Sequence, residues 1–374
     1  MAFLTDRTLA TGVTLQDLIH IVITGDTSQG NPAGSSYKAT IQQVSNTLLP
    51  VFSGLSLYEV GSGIDSTQRI GVSANAGGDY SIVAGGSGNT TSGCYSVIGG
   101  GFNNQSYAIF TTVGGGFNNI VSGACATISG GYYNTVLGDN STISGGYGNQ
   151  SIGNYSVIGG GDQNISCGYG STISGGYYNK ALGDSSIITG GHSNLVGYIT
   201  AWSDNCIYGS IIGGGVFNTI SSGSTYNNSH TNTIGGGTCN TIMSTNINGQ
   251  TISGGYSNKS LCNYSTISGG YCNTTNNNMS TVSGGGKNTS NGGYSTISGG
   301  YGNIINNQYG GILGGNGNTI NHNCSFIIGQ GITTSCPNTT YVNCLSIVSI
   351  ETNPVGCPSG TVYKDSSGFL KIVP

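Results

Sequence analysis

Aliphatic residues recur with a period of fifteen through most of this chain. Each unit can be written Thr-Ile-Ser-Gly-Gly-Tyr-x-Asn-x-x-x-Gly-x-Tyr-Ser, and its second position is always β-branched and apolar. The residues at this position are Val83, Ile98, Val113, Ile128, Ile143, Ile158, Ile173, Ile188, Ile212, Ile234, Ile252, Ile267, Val282, Ile297, Ile312 and Ile327. Such side chains favour strands and stack well on a pleated surface. The pattern therefore predicts an all-β fold in which each unit is one coil of a stacked parallel β-roll, or β-solenoid.

The other columns of the unit predict its turns. Positions four and five are glycines, which permit a positive φ or a close approach between backbones. Position eight is asparagine, which can pass amide hydrogen bonds from coil to coil. The predicted ladder begins with Asn89, Asn104, Asn119, Asn134, Asn149, Asn164, Asn179 and Asn194, and the column continues in later units. Position twelve is mostly Gly or Asn and is read as a second corner of the same kind.

Each coil is thus expected to contain a strand, a turn, a second extended stretch and another turn. About sixteen such coils would form a rod roughly 75 Å long at the usual spacing between strands. The paired glycines do not indicate a phosphate-binding loop, because no helix follows them.

The period divides the chain into four parts. Residues 1–60 are richer in charge and are read as an attachment module, with a strand at 15–24, turns at 25–36, and a short helix or strand at 39–49. Residues 61–81 lead into the repeats, which occupy 82–331. Residues 332–374 are read as a β cap, with a strand at 345–350 and a hairpin formed by 361–364 and 369–373.

The spacing lengthens in one region of the repeats. Successive units that begin at Ile187, Ile211, Thr233 and Thr251 are more than fifteen residues apart, which predicts protruding loops at 195–210, 221–232 and 241–250. The first loop carries the single tryptophan and is a candidate receptor loop, because loops on a rigid scaffold often bind partners. Its candidate residues are Tyr198, Trp202, Asp204 and Tyr208. The alternative is neutral drift of a tolerant surface loop.

Composition narrows the possible functions. Charged residues make up 5% of the chain, against about 25% in a typical globular domain. The net charge of −4 gives no basic surface for nucleic acid or anionic membranes. We find no apolar run that could span a membrane and expect no signal peptide. The eleven cysteines occupy irregular columns, which favours free thiols over disulfides; Cys336, Cys344 and Cys357 are the best candidates if disulfides form.

Carboxylates are too sparse to predict an enzyme. Between residues 82 and 343 there are four, and Asp139 and Asp184 share a column but lie three coils apart, about 14 Å. Glycoside hydrolysis needs two carboxylates about 5–9.5 Å apart. His192, His230 and His322 fall in different columns and predict no metal site. We therefore expect a non-enzymatic protein without cofactor or metal.

Tyrosines recur in two columns and allow two interpretations. Tyr132, Tyr147 and Tyr177 are among those in the sixth column, and Tyr95 and Tyr155 are among those in the fourteenth. The rings could stack between coils or between chains. Alternatively, they could form an aromatic track for glycans.

Several units resemble the head repeats of trimeric autotransporter adhesins, among them YSVIGGG, YSTISGGYGN and GDNSTISGG. That family forms left-handed parallel β-rolls in which three chains pack side by side. The resemblance covers residues 82–331, although the unit here has fifteen residues and a Gly-Gly-x-x-Asn segment, and we see no secretion signal or membrane anchor. The runs LIHIVITGDTSQGNPAGSSYKATI and GTVYKDSSGFLKIV instead resemble the ends of viral or phage structural proteins.

Together these resemblances imply a homotrimeric virion fibre that is built in the host cytoplasm and docks to other virion proteins through its N-terminal module. Three functions remain open. The chain could be a fibre or adhesin that contacts a host receptor or glycan, a purely structural filament or decoration protein, or an ice-binding solenoid that uses its regular Thr-Ile-Ser rows. A trimer is also favoured because one aliphatic column in fifteen residues leaves a thin roll with little buried surface.

Overall fold

The computed structural model describes residues 18–23, 35–40, 58–69, 73–197, 207–222, 229–244, 249–346, 350, 358–359, 362–364 and 370–372. Within these residues all regular structure is β, and the predicted fold class is confirmed. The repeats form a parallel β-solenoid of about 17 turns with a spacing of about fifteen residues. No helix in the described part of the chain has the length and apolar character needed to cross a bilayer.

Positions one and two of successive units form the first sheet. Its parallel strands are Thr67–Arg69, Ile82–Val83, Val97–Ile98, Thr112–Val113, Thr127–Ile128, Thr142–Ile143, Val157–Ile158, Thr172–Ile173, Ile187–Ile188, Ile211–Ile212, Thr233–Ile234, Thr251–Ile252, Thr266–Ile267, Thr281–Val282, Thr296–Ile297, Gly311–Ile312, Phe326–Ile328 and Thr340–Val342. Tyr58–Val60 pairs antiparallel with the first of these strands. The register is constant, with Ile143 paired to Ile158 and Ile158 to Ile173.

Positions nine and ten form the second sheet, which has 16 strands. They are Asn75–Ala76, Thr90–Thr91, Gln105–Ser106, Ile120–Val121, Thr135–Val136, Gln150–Ser151, Ile165–Ser166, Lys180–Ala181, Leu195–Val196, Thr219–Ser222, Thr241–Ser244, Lys259–Ser260, Thr274–Thr275, Thr289–Ser290, Ile304–Ile305 and Thr319–Ile320. A third ladder of single bridges joins position six of each coil to position six of the next, as in Tyr132 to Tyr147.

The stack is longer than the sequence period indicated. Thr67–Arg69 already pairs in parallel with the first predicted coil, and Thr340–Val342 extends the sheet beyond residue 331. The period is hard to see at these ends because Gln68 and Tyr341 replace the aliphatic residue. The Gln68 amide donates to Glu59 Oε1 at 2.9 Å and accepts from Ala76 N at 3.0 Å, so a polar side chain closes the first coil.

The core contains two inward columns where the sequence indicated one. The aliphatic residues at position two are buried from Val83 to Ile327. Position ten is also buried in every coil, but its residues are a mixture: Ala76, Thr91, Ser106, Val121, Val136, Ser151, Ser166, Ala181, Val196, Ile220, Ile242, Ser260, Thr275, Ser290, Ile305 and Ile320. The hydroxyl members pair with the serine or threonine at position fifteen, as Ser166 Oγ does with Ser171 Oγ at 2.6 Å. These hydroxyl pairs satisfy buried polar groups and obscure the column in the sequence.

Two corners join the sheets, and we name them by position in the unit. The first corner comprises positions four to eight, and the second corner comprises positions eleven to fifteen. At the first corner Gly146 has φ +89°, and a Cβ there would lie 2.1 Å from the carbonyl oxygen of Gly161 in the next coil. Both expected reasons for the glycine pair therefore apply.

The second corner differs from its predicted form. Its glycine at position twelve, exemplified by Gly138, does not have a positive φ; a Cβ there would lie 2.1 Å from Gly153 O, so crowding explains the residue. The left-handed residue is at position fourteen and is usually not glycine, as in Tyr95 and Tyr155. A second left-handed residue lies at position seven of the first corner, as in Tyr133 and Tyr178.

The terminal segments contain two further pairs of strands. Leu18–Ile23 pairs antiparallel with Ser35–Thr40, so the second strand begins earlier than the predicted boundary at residue 39. Val362–Lys364 pairs antiparallel with Leu370–Ile372, which confirms the predicted hairpin. Leu345 and Ser346 are not in a strand, and residues 347–349 of that prediction lie outside the described residues.

Candidate binding surface

The asparagine column lies inside the first corner, where every member is fully buried. Asn149 shows the arrangement. Its Oδ1 accepts a hydrogen bond from Asn164 N at 3.0 Å. Its Nδ2 donates to Gly145 O at 3.0 Å and to Gly161 O at 2.9 Å. The amide thus joins its own turn to the next coil, and this column belongs to the scaffold and not to a surface that could bind a partner.

Aromatic rings line the outside of the first corner. Phe102 stacks on Phe117 with ring centroids 5.3 Å apart, and Phe117 on Tyr132 at 5.9 Å. Further along, His192 lies between Tyr177 at 5.0 Å and Phe217 at 5.2 Å. The spacing follows the rise from coil to coil, about 4.8 Å. The rings therefore stack between coils, which was one of the two interpretations of the tyrosine columns.

The second corner carries shorter aromatic stacks at position fourteen. Tyr80, Tyr95 and Phe110 form one, with centroids 5.0 and 5.1 Å apart. Tyr294 and Tyr309 form another at 5.3 Å. These rings lie nearly parallel and present a continuous apolar edge that is largely exposed.

A groove runs along the first corner beside the second sheet, and we call it the corner groove. It consists of two bays that share Tyr178 and Lys180. The first bay has a volume of about 350 Å³ and is lined by Tyr133, Tyr147, Gly148, Gln150, Gln163, Ile165, Tyr178 and Lys180. The second has a volume of about 300 Å³ and is lined by Tyr178, Lys180, Ser193, Asn194, Leu195, Phe217 and Thr219. Sequence reasoning missed this groove, because it depends on position seven, which carries no fixed residue type.

The candidate receptor loop is placed only in part. Tyr198, Trp202 and Asp204 lie outside the described residues. Tyr208 is not on a protruding loop. The strand Ile207–Tyr208 pairs in parallel with Ser229–His230 of the next coil. Tyr208 also forms a backbone β-bridge with Asp184 of the preceding coil. The predicted loop boundaries are also too wide, since Leu195–Val196, Thr219–Ser222 and Thr241–Ser244 are strands of the second sheet.

The two carboxylates that share a column have structural roles. Asp139 Oδ1 accepts from Ala124 N at 2.8 Å, and Asp184 Oδ1 accepts from Tyr169 N at 2.8 Å. Each side chain thus ties the second corner to the preceding coil. Asp162 is instead in the sixth column between Tyr147 and Tyr177, where its Oδ1 is buried without a hydrogen bond.

Cysteine and metal chemistry are limited among the described residues. The nine cysteines placed there are free thiols, including Cys336 and Cys344, whereas Cys206 and Cys357 lie outside. Burial raises the pKa of the Cys167 thiol to about 11, against a smaller opposite effect of Lys180. Within the described ranges, no group of three or more His, Cys, Asp or Glu side chains could hold a metal ion.

The geometry thus offers a rod with a two-bay groove at the first corner and a set of insertions at the second corner. Comparison of the chain with protein families and with curated proteins finds no match.

Proposed function

We propose that this chain is a non-enzymatic fibre or adhesin of a virus or phage particle, which displays a stiff rod for attachment to a host. The N-terminal module docks to other virion proteins, and the rod carries the contact surface outward. Assembly then takes place in the host cytoplasm.

The continuous parallel stack is the observation that carries this proposal. Paired strands follow one another without a break from Thr67–Arg69 to Thr340–Val342. The coils that carry Asn89 to Asn318 also hydrogen bond to their neighbours through these buried side chains, as Asn149 does with Asn164. Such a stack has the stiffness of a spacer, and its side chains repeat along one axis as those of a display surface do.

We further propose that three copies pack side by side through the outer surface of the first sheet. Its outward columns, positions one and three, contain Thr, Ser, Gly, Ala and aliphatic residues and the terminal Phe326, with no charged residue from Ile82 to Ile328. Aliphatic members such as Ile82, Val157 and Ile187 remain 37–42% exposed. A flat, uncharged face of small residues allows close contact between copies.

Light scattering tests the trimer. Thr142→Lys places a charge on this face, and we expect it to convert a trimer into monomers. Thr135→Lys is the matched control, because position nine of the second sheet already carries Lys180 and Lys259. A wild-type monomer at micromolar concentration, or a trimer unaffected by Thr142→Lys, would refute this packing.

Attachment is tested by removing the first insertion. Deletion of residues 198–206 shortens the spacing from Ile187 to Ile211 to fifteen residues, so the rod should fold unchanged. If this loop binds the receptor, particles carrying the deletion lose host attachment. Unchanged attachment would dismiss the loop while leaving the rest of the rod as a candidate.

The N-terminal module is tested separately. The deletion covers residues 1–57 of the predicted module 1–60, because Tyr58–Val60 pairs with the first coil. It should abolish incorporation into particles, and a label at residue 1 of the full chain should be seen next to the particle surface. Incorporation without any effect of surface changes on attachment would instead favour the structural filament. Absence from particles altogether would overturn the proposed function.

Ice binding is a second candidate because the first sheet presents a regular outward column of threonines, including Thr112, Thr127, Thr142 and Thr172. Val157 and Ile187 interrupt the column, and position three is Gly or Ser more often than Thr. A thermal hysteresis assay distinguishes the two functions, and we expect no hysteresis.

A further inference from the structure

We propose that the corner groove binds a linear oligosaccharide that carries carboxylates. The inference rests on the attachment function proposed above and names the ligand that attachment would use. Ligand recognition is thereby assigned to the first corner, whereas the candidate receptor loop belongs to the second corner.

Three exposed aromatic rings form the walls of the groove. Tyr133, Tyr178 and Phe217 are 48%, 38% and 52% exposed. All three occupy position seven and have a positive φ between 55° and 57°, which directs their side chains from the same point of the coil. A pyranose ring has an apolar face of C–H groups that packs on such rings, and its rim of hydroxyls remains free for hydrogen bonds.

The rings are held in place by their neighbours. Tyr178 meets Tyr177 edge to face with centroids 4.3 Å apart. Tyr133 meets Phe117 at 5.5 Å and Tyr147 at 6.0 Å in the same manner. A wall that is already ordered loses little conformational entropy when a ligand binds.

Non-aromatic residues at position seven between the walls open the two bays. Position seven is Gly148 and then Gln163 between Tyr133 and Tyr178, and it is Ser193 between Tyr178 and Phe217. The walls are therefore three and two coils apart, about 14 Å and about 10 Å. The groove is long and narrow along the rod, roughly 24 Å in all, which suits an extended chain better than a compact molecule.

Polar groups of the groove favour an acidic sugar. Gln150 on the second sheet and Gln163 at position seven each offer an amide that can donate to and accept from hydroxyls. Lys180 lines both bays and is the only charged residue that does so. The Lys180 ammonium group can form a charge-assisted hydrogen bond with a carboxylate of the ligand. A neutral sugar offers no such partner to this group.

The test uses the full chain on an array of linear oligouronates, each paired with its methyl-esterified neutral counterpart. We expect binding to the acidic members, weakened by salt. Lys180→Gln should lower their affinity by about two- to fivefold without changing the weak binding of the esters.

Two pairs of variants separate the groove from the fold. Gly148→Tyr adds a fourth aromatic side chain to the first bay, beside Tyr133, Tyr147 and Tyr178. Its matched control is Gly302→Tyr, because Gly302 has φ +64° against +62° at Gly148 and nothing lies within 4 Å of a Cβ there. Tyr178→Asn removes the shared wall, and it is matched by Tyr264→Asn at the second corner; asparagine tolerates the left-handed conformation at both. We expect Gly148→Tyr and Tyr178→Asn to abolish binding and their controls to retain it.

No binding of any acidic member, or equal binding by Gly148→Tyr and the wild type, would overturn the inference. Capture of neutral members alone would overturn the role of Lys180 and the acidic ligand class. The proposed function fails differently, by absence of the chain from particles. If attachment of particles needs this chain but tolerates Tyr178→Asn, the groove is not the binding site, and the proposed fibre function still holds.

Discussion

The two corners of the coil respond differently to added residues. All three long units between Ile187 and Thr251 take their extra residues at the second corner, after position eleven. At the first corner the distance from the glycine pair to the asparagine stays the same in every unit of the period, including these three. The first corner therefore fixes the register of the stack, and the second corner accepts added residues.

The hydrogen bonds explain this difference. At the first corner one amide side chain joins position four of its own coil to the glycine of the next, so its spacing cannot change without losing several bonds. At the second corner the side-chain bonds come from Asp or Asn at position thirteen in some coils, such as Asp184, and from serine hydroxyls at position fifteen. Both lie close to where the first sheet resumes, as Ser186 Oγ shows by donating to Gly183 O at 2.6 Å. Residues added before that point leave position fifteen and the next strand in register.

Insertions at the two corners should show the largest contrast. A Gly-Ser segment of about six residues placed between Gly146 and Tyr147 separates Asn149 from Gly145 O and should destabilise the surrounding coils by several kcal/mol. The same segment between Ile152 and Gly153 adds mainly loop-closure entropy, about 1 kcal/mol. Thermal unfolding followed by circular dichroism measures both.

Hydrogen exchange gives the control, since a repeat protein can lose coils locally. We expect faster exchange in the coils next to the first insertion and wild-type protection in those next to the second. Equal losses of stability at the two sites would show that the two corners tolerate insertions equally, and that the first corner alone does not fix the register.

A side-chain substitution tests the same contrast without changing chain length. Asn149→Leu removes the partners of Asn164 N and Gly145 O and one of the two donors to Gly161 O, which keeps its bond from Tyr147 N. We expect it to lower the free energy of unfolding by roughly 3 kcal/mol. Ser171→Ala at the second corner loses the contact with Ser166 Oγ and the bond to Gly168 O, and should cost about 1 kcal/mol.

Guanidinium unfolding measures both variants. Asn149→Asp is a useful companion because it keeps the acceptor and removes the two donated bonds. If Ser171→Ala proved as damaging as Asn149→Leu, the hydroxyl column would hold the register as firmly as the amides do.

The same asymmetry decides what the sequence could predict. The solenoid, its period and the first corner follow from residues that recur in nearly every unit, above all the aliphatic second position and the asparagine, which only the last unit lacks. The second inward column was not predicted, because Ser166 and Val136 fill equivalent buried sites and differ in polarity. A hydroxyl can replace an aliphatic group there only because a serine at position fifteen accepts or donates to it.

The surface sites were harder to predict for a related reason. Tyr208 was assigned to a loop by spacing alone, whereas pairing with the next coil continues the stack through it. The corner groove depends on where position seven lacks a large side chain, as at Gly148, and not on any recurring residue. The sequence period identifies residues that are the same in each coil. The corner groove is formed by residues that differ between coils, and the period therefore does not predict it.

The left-handed residues are a feature that both corners share, and they predict a smaller effect. Ser185 at the second corner has φ 51° and Ser257 at the first has φ 55°. Glycine has no Cβ, so it relieves a strain of about 1 kcal/mol in the folded state. Its greater conformational freedom also stabilises the unfolded chain, which offsets part of that gain in stability. We expect Ser185→Gly and Ser257→Gly each to raise the free energy of unfolding by up to about 1 kcal/mol.

Alanine is the matched substitution at both serines, since it removes the hydroxyl and keeps the strain. Chemical denaturation should show a gain for glycine and none for alanine. A gain at only one corner would mean that the left-handed residues, too, differ between the corners.

The smallest expected effect concerns two cysteines of the second corner. Burial raises the pKa of Cys167 to about 11, so its thiol stays protonated at neutral pH, whereas Cys125 is exposed at the left-handed position. A shift of this size lowers the thiolate fraction by about 100-fold, and the thiolate is the form that reacts. Cys125 should therefore be alkylated at least tenfold faster than Cys167 at pH 8, as peptide mapping by mass spectrometry would measure.

The pH dependence follows from the sign of the shift. Because the folded-state pKa of Cys167 lies above that of the unfolded chain, its contribution to stability is complete below about pH 9 and is lost as the pH rises towards 11. Labelling of Cys167 should rise over the same range, and Cys167→Ser should flatten the stability profile there. Equal alkylation of the two thiols at pH 8 would show that Cys167, at position eleven, is accessible to the reagent and is not protected by burial.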